Sequence, residues 1–359
     1  MMTRYFLIFA LGLLILSCNT DTDNNNTSSS SLQDEIYFPP IDTEDWATIS
    51  PNELGWNEAE IQGLISFLEQ KNTKSFIILH KGKIALEVYL NGHNQNSIWY
   101  WASAGKTLST AICGIAQNEG LLNINDKVSD YLGNHWTSLS LEKEQLITIK
   151  HLLSMTSGLD DSVGDGVSPE NLQYLADAGT RWAYHNVYVK VQDVIASASN
   201  QSWDSYFKNN LRDKIGMNGT YINIEDLNVY WSNTRSMARF GLLIYANGRW
   251  DQEQIVPKSF LEEATSSSQN LNLSYGYLWW INGQDSYLLP QSQIQFSGSI
   301  IPNAPNDMYA ALGKNDQKIY IVPSKELVII RMGESADDVN FALSNFDNNL
   351  WEKINAVID

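Results

Sequence analysis

One lysine of this chain lies at the start of a largely apolar segment. Lys106 lies three residues after Ser103 in the segment SAGKTLSTAICGIA, and the apolar residues that follow predict a helix from about 103 to 118. Residues at positions i and i+3 share one face of a helix, so the two side chains can touch if the helix begins at Ser103. The fold must therefore accommodate a serine–lysine pair at the front of a largely apolar helix.

Such a pair is suited to nucleophilic catalysis. A serine hydroxyl is a weak nucleophile until a base removes its proton. In a dry cleft the charged form of a lysine is disfavoured, so its pKa falls towards neutrality and the neutral amine can accept the proton. The backbone N–H of Ser103, at the start of the helix, can also face a developing oxyanion. The alternative interpretation is that Ser103 is a simple N-cap.

The Ser-x-x-Lys pattern is weak by itself, because it occurs at two further places in the chain. Ser140 precedes Lys143 in a polar stretch, and Ser205 precedes Lys208 in an amphipathic helix where the lysine can reach solvent. Only the match at 103–106 combines a helix start, small neighbours and an apolar continuation. We therefore expect that match to carry any chemistry.

A tyrosine is a candidate for the second proton-transfer group. Tyr184 and Asn186 form a Tyr-x-Asn pattern in the segment GTRWAYHN, which is predicted to be a loop. The same pattern occurs at Tyr89, on a predicted hairpin strand, and at Tyr245, at a predicted helix end. Two nearby cationic centres would lower the pKa of a tyrosine in the cleft. The alternative for Tyr184 is a packed loop aromatic.

The order of predicted elements indicates an α+β fold. An amphipathic helix at 50–72 and a hairpin at 75–92 come first, and a mostly helical block follows at 121–250. Strands return between 275 and 333, and an amphipathic helix closes the chain at 336–358. We predict an antiparallel β-sheet flanked by the N- and C-terminal helices, with an inserted mainly helical domain. A cleft between the two parts is the expected place for a site.

The N-terminal residues are predicted to lie outside the fold. The segment MMTRYFLIFALGLLILSC has an apolar run too short for a comfortable membrane span, which is typical of a secretory signal. Its end, LILSC, resembles the lipobox of bacterial lipoproteins, which implies a signal peptide at 1–18 and lipidation of Cys18. The alternative is an ordinary signal peptide with a chance cysteine. The polar stretch that follows predicts a flexible tether at 19–49. The protein is then expected in the bacterial cell envelope, anchored to a membrane by lipid.

Charge and composition exclude several classes of function. The 41 acidic and 23 basic residues leave a formal charge of −18, which opposes binding to nucleic acid. The five histidines are scattered, and the chain has no metal-binding motif, so we expect no metal and no cofactor.

The motifs taken together resemble the serine β-lactamase and penicillin-binding-protein superfamily. Within it, the chain is most similar to the class C-like serine hydrolases, which include family VIII esterases and 6-aminohexanoate-dimer hydrolases. The resemblance runs from about 50 to 350 and rests on SAGK, YHN, ITIKHLLSMTSGL, ARFGLLIYANGRW, YGYLWW and ALGKNDQKIYIVPSKELVII. It implies a serine hydrolase domain at 50–359. Its helical subdomain would lie at roughly 103–235, between the α/β parts at 50–102 and 236–359.

The resemblance also implies roles for the matching residues. Ser103 would be the acylated nucleophile, and Lys106 and Tyr184 would share the work of general base and general acid. Asn186 would hold Lys106 and contact the substrate through its amide.

The third motif departs from the usual pattern of the family. Lys314 would be its electropositive member, and the backbone N–H near Gln317 would be the second oxyanion donor. Asn315 replaces Thr or Gly, and Asp316 stands where Gly is usual. Asp316 is expected to narrow the mouth of the cleft or to oppose an anionic substrate by its charge. His185 replaces the commoner Ser or Ala of the second motif.

The expected activity is hydrolysis of a carboxylic ester or amide through an acyl-enzyme on Ser103. One alternative is a peptidase or amidase that acts on D-amino-acid or peptidoglycan fragments. The other is a catalytically silent binding protein with the same fold. Tryptophans beside the motifs, at 101, 182, 279 and 280, either line an apolar acyl pocket or pack in the core.

Overall fold

The computed structural model describes residues 36–337 and 343–359. The predicted signal peptide and Cys18 lie outside the described residues, so the lipid anchor stays a prediction. Within the described ranges no helix is both long and apolar enough to cross a membrane.

The folded body begins earlier than the predicted tether allows. The N–H of Tyr37 donates to the carbonyl of Lys81 at 3.0 Å, and the indole of Trp46 donates to the carbonyl of Gly82 at 2.7 Å. The guanidinium of Arg239 donates to the carbonyl of Pro40 at 2.7 Å. The boundary at residue 49 is therefore wrong, because the segment from 36 onward packs against the body.

Thirteen strands occur in the described residues, and six of them form one large sheet. They are β1 Thr73–His80, β2 Lys83–Tyr89, β3 Trp99–Tyr100, β4 Thr220–Ile224, β5 Leu227–Ser232, β6 Arg249–Trp250, β7 Glu253–Gln254, β8 Trp280–Ile281, β9 Ser286–Leu288, β10 Gln295–Ser297, β11 Tyr309–Gly313, β12 Gln317–Val322 and β13 Leu327–Gly333. The large sheet has the order β2-β1-β13-β12-β11-β8, and its paired strands are antiparallel.

Ten α-helices occur in the described residues. They are α1 Glu58–Gln70, α2 Lys106–Asn118, α3 Ser129–Leu132, α4 Leu141–Glu144, α5 Ile149–Leu153, α6 Val189–Ser199, α7 Trp203–Phe207, α8 Thr234–Tyr245, α9 Lys258–Ala264 and α10 Asn345–Ile358. The first and the last of these helices pack together through stacked rings of Phe67 and Phe346, whose centroids are 5.8 Å apart. The predicted α+β fold is confirmed.

The central strands are covered on both faces. Every residue of β12 and β13 is buried, which is possible only if both faces of a sheet are packed against other elements. Helix α8 approaches closely, since a Cβ added at Gly241 would lie 2.6 Å from Val328. The large sheet is therefore a rigid support for the turns and helices that pack against it.

The middle of the chain is less uniformly helical than its local sequence patterns predict. Strands β4 and β5 form a hairpin, and β3 extends it into a three-stranded sheet of order β3-β5-β4. Around the turn of this hairpin, the segments INIE from Ile222 and LNV from Leu227 alternate apolar and polar residues at period two. This alternation was the available signal for a hairpin inside the helical block.

Candidate active site

Ser103 lies in a tight turn that leads directly into α2. The turn is a 3-10 helix at Ala102–Gly105, and Ala102 has a φ of 47°, a left-handed conformation that is strained for alanine. A Cβ at Gly313 would lie 2.6 Å from the carbonyl oxygen of Trp101, so the end of β11 packs directly on the turn. Only glycine permits this approach, which fixes the backbone around Ser103.

Lys106 is buried and touches Ser103. The residue is 2% exposed, and its Nζ donates to the Oγ of Ser103 at 2.9 Å. Burial lowers the pKa of Lys106 to about 7, although the carboxylate of Asp165 opposes the shift. A substantial fraction of the amine is therefore neutral near pH 7. The contact is the one that the spacing predicts, and the catalytic roles stay a prediction.

The other two Ser-x-x-Lys matches have no such environment. Lys143 pairs with Asp177 at 2.6 Å and is one-third exposed. Lys208 is exposed to solvent. Neither lysine is buried as Lys106 is.

Tyr184 approaches the pair from a different segment of the chain. Burial raises the pKa of Tyr184 to about 12, and a hydrogen bond with Ser103 opposes this rise. The expectation that neighbouring cations lower this pKa is wrong, because desolvation of the ring exceeds every favourable interaction of the phenolate. At neutral pH Tyr184 is a phenol and can donate a proton.

The four tryptophans beside the motifs pack in the core. Trp101, Trp182, Trp279 and Trp280 are at most 2% exposed. The ring of Trp280 stacks on that of Tyr184 with centroids 5.8 Å apart. These residues support the site from behind, and the alternative of an acyl pocket lined by tryptophan is wrong.

Asn186 makes a different contact from the one expected. Its Nδ2 donates to the backbone oxygen and to Oδ1 of Asp165, both at 3.2 Å. Asn186 thus contacts Asp165 in place of the expected contact with Lys106. The neighbouring His185 accepts the N–H of Val187 through Nδ1 at 3.0 Å and so caps the short turn that follows. The second motif is thus ordered by its own capping histidine.

Five of the six residues proposed for catalysis and substrate binding line one cavity. The cavity has a volume of about 620 Å³, and its walls include Ser103, Lys106, Tyr184, Asn186 and Lys314. This size is typical of a site for a small molecule. In the part of the chain that the structure describes, no cluster of side chains is arranged to hold a metal ion.

Gln317 does not reach the cavity. Its side chain is fully buried, and its Nε2 donates to the carbonyls of Asn315 at 2.9 Å and Gly333 at 2.6 Å. The residues of this turn that line the cavity are Lys314 and Asn315. Gln317 is not among the residues that line the cavity, and the backbone N–H near it as second oxyanion donor stays a prediction.

Asp316 also points away from the cavity. Its carboxylate accepts the N–H of Ala336 at 2.9 Å and the hydroxyl of Ser344 at 3.2 Å, and it pairs with Lys318 at 3.2 Å. The expectation that it narrows the cleft or repels anions is wrong. Its φ of 60° lies in the left-handed region, which explains why glycine is favoured at this position.

A buried ionic network holds this strained turn. Lys318 lies 2.9 Å from Asp347 on α10, in addition to its contact with Asp316. The guanidinium of Arg331 donates to the carbonyls of Asn315 at 3.1 Å and Asp316 at 2.9 Å. Two left-handed non-glycine residues cost about 1–3 kcal/mol each, and such strain persists only where the surroundings over-determine it. The network supplies that constraint and fixes the cavity wall beside Lys314.

Replacing Asp165 should move the pH profile of any Lys106-dependent activity. Asp165 raises the pKa of Lys106 against the effect of burial. In Asp165→Asn this contribution is lost, the pKa falls further, and the acid limb of kcat/KM should move to lower pH by several tenths of a unit, as loss of one exposed charge would give. Asp160→Asn is the matched control, since its carboxylate accepts from Ser162. A shift to higher pH, or equal shifts in both variants, would contradict this electrostatic assignment.

Comparison with known proteins places the chain among the β-lactamase-fold hydrolases. The family model described as Beta-lactamase matches residues 67–338, which is most of the chain. The chain therefore belongs to the Beta-lactamase family.

Relatives in solved structures share the fold at low sequence identity. A Bacillus anthracis protein provisionally named a 6-aminohexanoate-dimer hydrolase has a TM-score of 0.67 and 19% identity, covering 90% of this chain and 88% of that one. A provisionally named β-lactamase from Bacteroides dorei has a TM-score of 0.66 and 15% identity, covering 84% and 99%. EstCE1, described as a hydrolase with promiscuous acyltransferase activity, has a TM-score of 0.63 and 11% identity, covering 86% and 99%.

A curated relative is similar over a shorter stretch. Penicillin-binding protein 4* of Bacillus subtilis is 27% identical over 146 residues, which are 35% of this chain and 31% of that protein. The match thus spans about a third of the length of the relative.

Proposed function

We propose that the protein is a serine hydrolase that cleaves a carboxylic ester or amide through an acyl-enzyme on Ser103. The observation that carries the proposal is the contact of 2.9 Å between the Nζ of Lys106 and the Oγ of Ser103. Since burial brings the pKa of Lys106 to about 7, the amine can act as a base near neutral pH.

The proton path follows from the two pKa shifts. Lys106, as a neutral amine, takes the proton of Ser103 while Oγ attacks the carbonyl carbon. Tyr184, still a phenol below a pH of about 12, donates its proton to the leaving group and recovers it from the ammonium of Lys106. Water then attacks the acyl-enzyme and gives a proton to Lys106, which returns it to the Oγ of Ser103 as the carboxylic acid leaves.

The oxyanion that forms from the substrate carbonyl needs hydrogen-bond donors beside it. The N–H of Ser103 lies in the first turn before α2, where backbone N–H groups have no partner one turn earlier in the helix. The turn at Lys314 and Asn315 borders the same cavity and is the place for a second donor. The close packing of Gly313 on the nucleophile turn keeps the two sides at a constant separation.

A second candidate function is a peptidase or amidase that acts on D-amino-acid or peptidoglycan fragments. Lys314 favours it, because its exposed ammonium lines the cavity and can meet the carboxylate of a peptide. Rates on aryl acetates and on peptides that end in D-Ala-D-Ala separate the two substrate classes.

Labelling with a fluorophosphonate tests the proposal and decides between it and the silent binding protein. The wild-type protein should gain the mass of one adduct, and peptide mapping should place it on Ser103. Ser140 and Ser205 are internal controls, because they share the Ser-x-x-Lys pattern and lack a buried lysine. An unmodified protein, or an adduct on either control serine, would contradict the catalytic assignment.

A further inference from the structure

The hairpin of β4 and β5 presents a group of aliphatic side chains on one face, in the half nearest its turn. Ile224 lies opposite Leu227, and Ile222 lies opposite Val229 in the antiparallel register. Successive residues of a strand point to opposite faces, so these four side chains share one face. Two cross-strand pairs therefore form a continuous aliphatic surface.

This surface borders the cavity that contains Ser103. Ile224, Leu227 and Val229 are all part of the cavity wall. Ile224 is 46% exposed and Ile222 is 43% exposed, so the surface is not covered by the residues that the structure describes. Aliphatic residues that face an open cavity beside a nucleophile favour a ligand with an apolar part.

The opposite face of the hairpin shows that the orientation is not accidental. There Tyr230 is buried in the core, and its hydroxyl donates to the carbonyl of Asn218 at 2.7 Å. Asn223 and Asn228, also on that face, line a separate cavity of about 420 Å³. A slip of β5 by one residue would move Tyr230 out of the core, so packing of the aromatic residues on that face holds the register.

We propose that this aliphatic surface binds an apolar arm of the substrate while the carbonyl carbon lies at Ser103. The substrate class is an ester with an alkyl chain on its acyl or its alcohol side. The inference rests on the proposed serine hydrolase and adds the specificity that the hairpin supplies. Ile224, Leu227 and Val229 are the specificity-determining residues, and Lys106 and Tyr184 act on the same substrate at the carbonyl.

Chain-length series of esters test the inference in the wild-type protein. One series uses p-nitrophenyl esters with acyl chains of two to eight carbons, and the other uses alkyl acetates with alcohols of two to eight carbons. Burial of each added methylene should raise kcat/KM by about fourfold in at least one series until the wall is covered. A flat or falling profile in both series would overturn the inference, whereas hydrolysis of the acetates with an adduct on Ser103 would leave the proposed function intact.

Two polar substitutions show whether the hairpin causes the rise of kcat/KM with chain length. Ile224→Asn and Leu227→Asn should each lower the ratio of octanoate to acetate kcat/KM by about tenfold or more, as removal of one apolar contact does. Asn223→Ala is the matched control, because it changes the neighbouring residue on the other face of β4 and should leave the ratio unchanged. Thermal unfolding of each variant establishes that the hairpin still folds.

Other outcomes for these variants would overturn the inference. If the ratio of octanoate to acetate kcat/KM were equal in the wild type, Ile224→Asn and Leu227→Asn, the alkyl chain would bind elsewhere. A second copy of the chain that covers the surface would appear as a dimer in sedimentation. Ile224→Asn would then give a monomer with no change in the chain-length ratio.

Discussion

Replacing Ser103 by alanine should lower ester turnover by about 10⁴-fold or more, the scale seen when a catalytic nucleophile is removed. Without the hydroxyl no acyl-enzyme forms, and only general binding and polarisation of the carbonyl remain. The fold should persist, because the side chain is half-buried and its described contacts are with Lys106 and Tyr184. Steady-state rates and thermal unfolding of purified Ser103→Ala give both quantities.

Ser205→Ala is the matched control for this experiment. Ser205 also precedes a lysine by three residues, but Lys208 is exposed. The control should keep the wild-type rate. If Ser103→Ala retained a rate within tenfold of the wild type, the attack would have to start from another group, and the acyl-enzyme mechanism would be rejected.

Lys106→Met should lose turnover and gain stability. Loss of the general base lowers kcat by about 10²-fold or more. The methionine fills the same buried volume without an amine that must be desolvated. A lysine whose pKa falls from the ordinary value of 10.5 to about 7 on folding carries a penalty on the order of a few kcal/mol at neutral pH. The variant should therefore unfold at a temperature higher by roughly several degrees.

The pH dependence of stability gives this prediction a definite sign. Between about 7 and 10.5 the unfolded chain binds a proton at Lys106 that the folded chain does not bind. The free energy of unfolding of the wild type therefore gains a contribution that rises with pH through that window. Lys106→Met lacks this contribution. Lys208→Met, at an exposed position, is the control and should follow the wild type. A Lys106→Met variant with full turnover, or with the wild-type rise in stability, would contradict the buried-base assignment.

Much of the fold could be predicted from local patterns. Apolar residues at helical spacing predicted α1, α2 and α10, and the β-rich runs around Lys81 and Gly82 predicted the hairpin of β1 and β2. The hairpin of β4 and β5 was missed, although its alternation was present, because it is short and lies inside a mostly helical region. Its function as a cavity wall depends on residues more than 100 positions away, which no local pattern can reveal.

The third motif shows why a family pattern did not suffice. An aspartate in place of the usual glycine suggested an open charge at the cleft. The structure instead buries Asp316 against Lys318 and Ser344, because a left-handed backbone at this position directs the side chain away from the cavity. A substitution in the motif was thus compensated by side chains from β12 and from the segment before α10.

The sequence by itself predicted that Ser103 and Lys106 can touch, since residues three apart in a helical segment lie on one face. Only the tertiary structure decided that the amine is close to neutral, that Tyr184 stays a phenol, and that aliphatic side chains line the cavity that contains Ser103. These properties depend on how completely water is excluded, and water is excluded by segments that are distant in the chain and meet only in the folded protein.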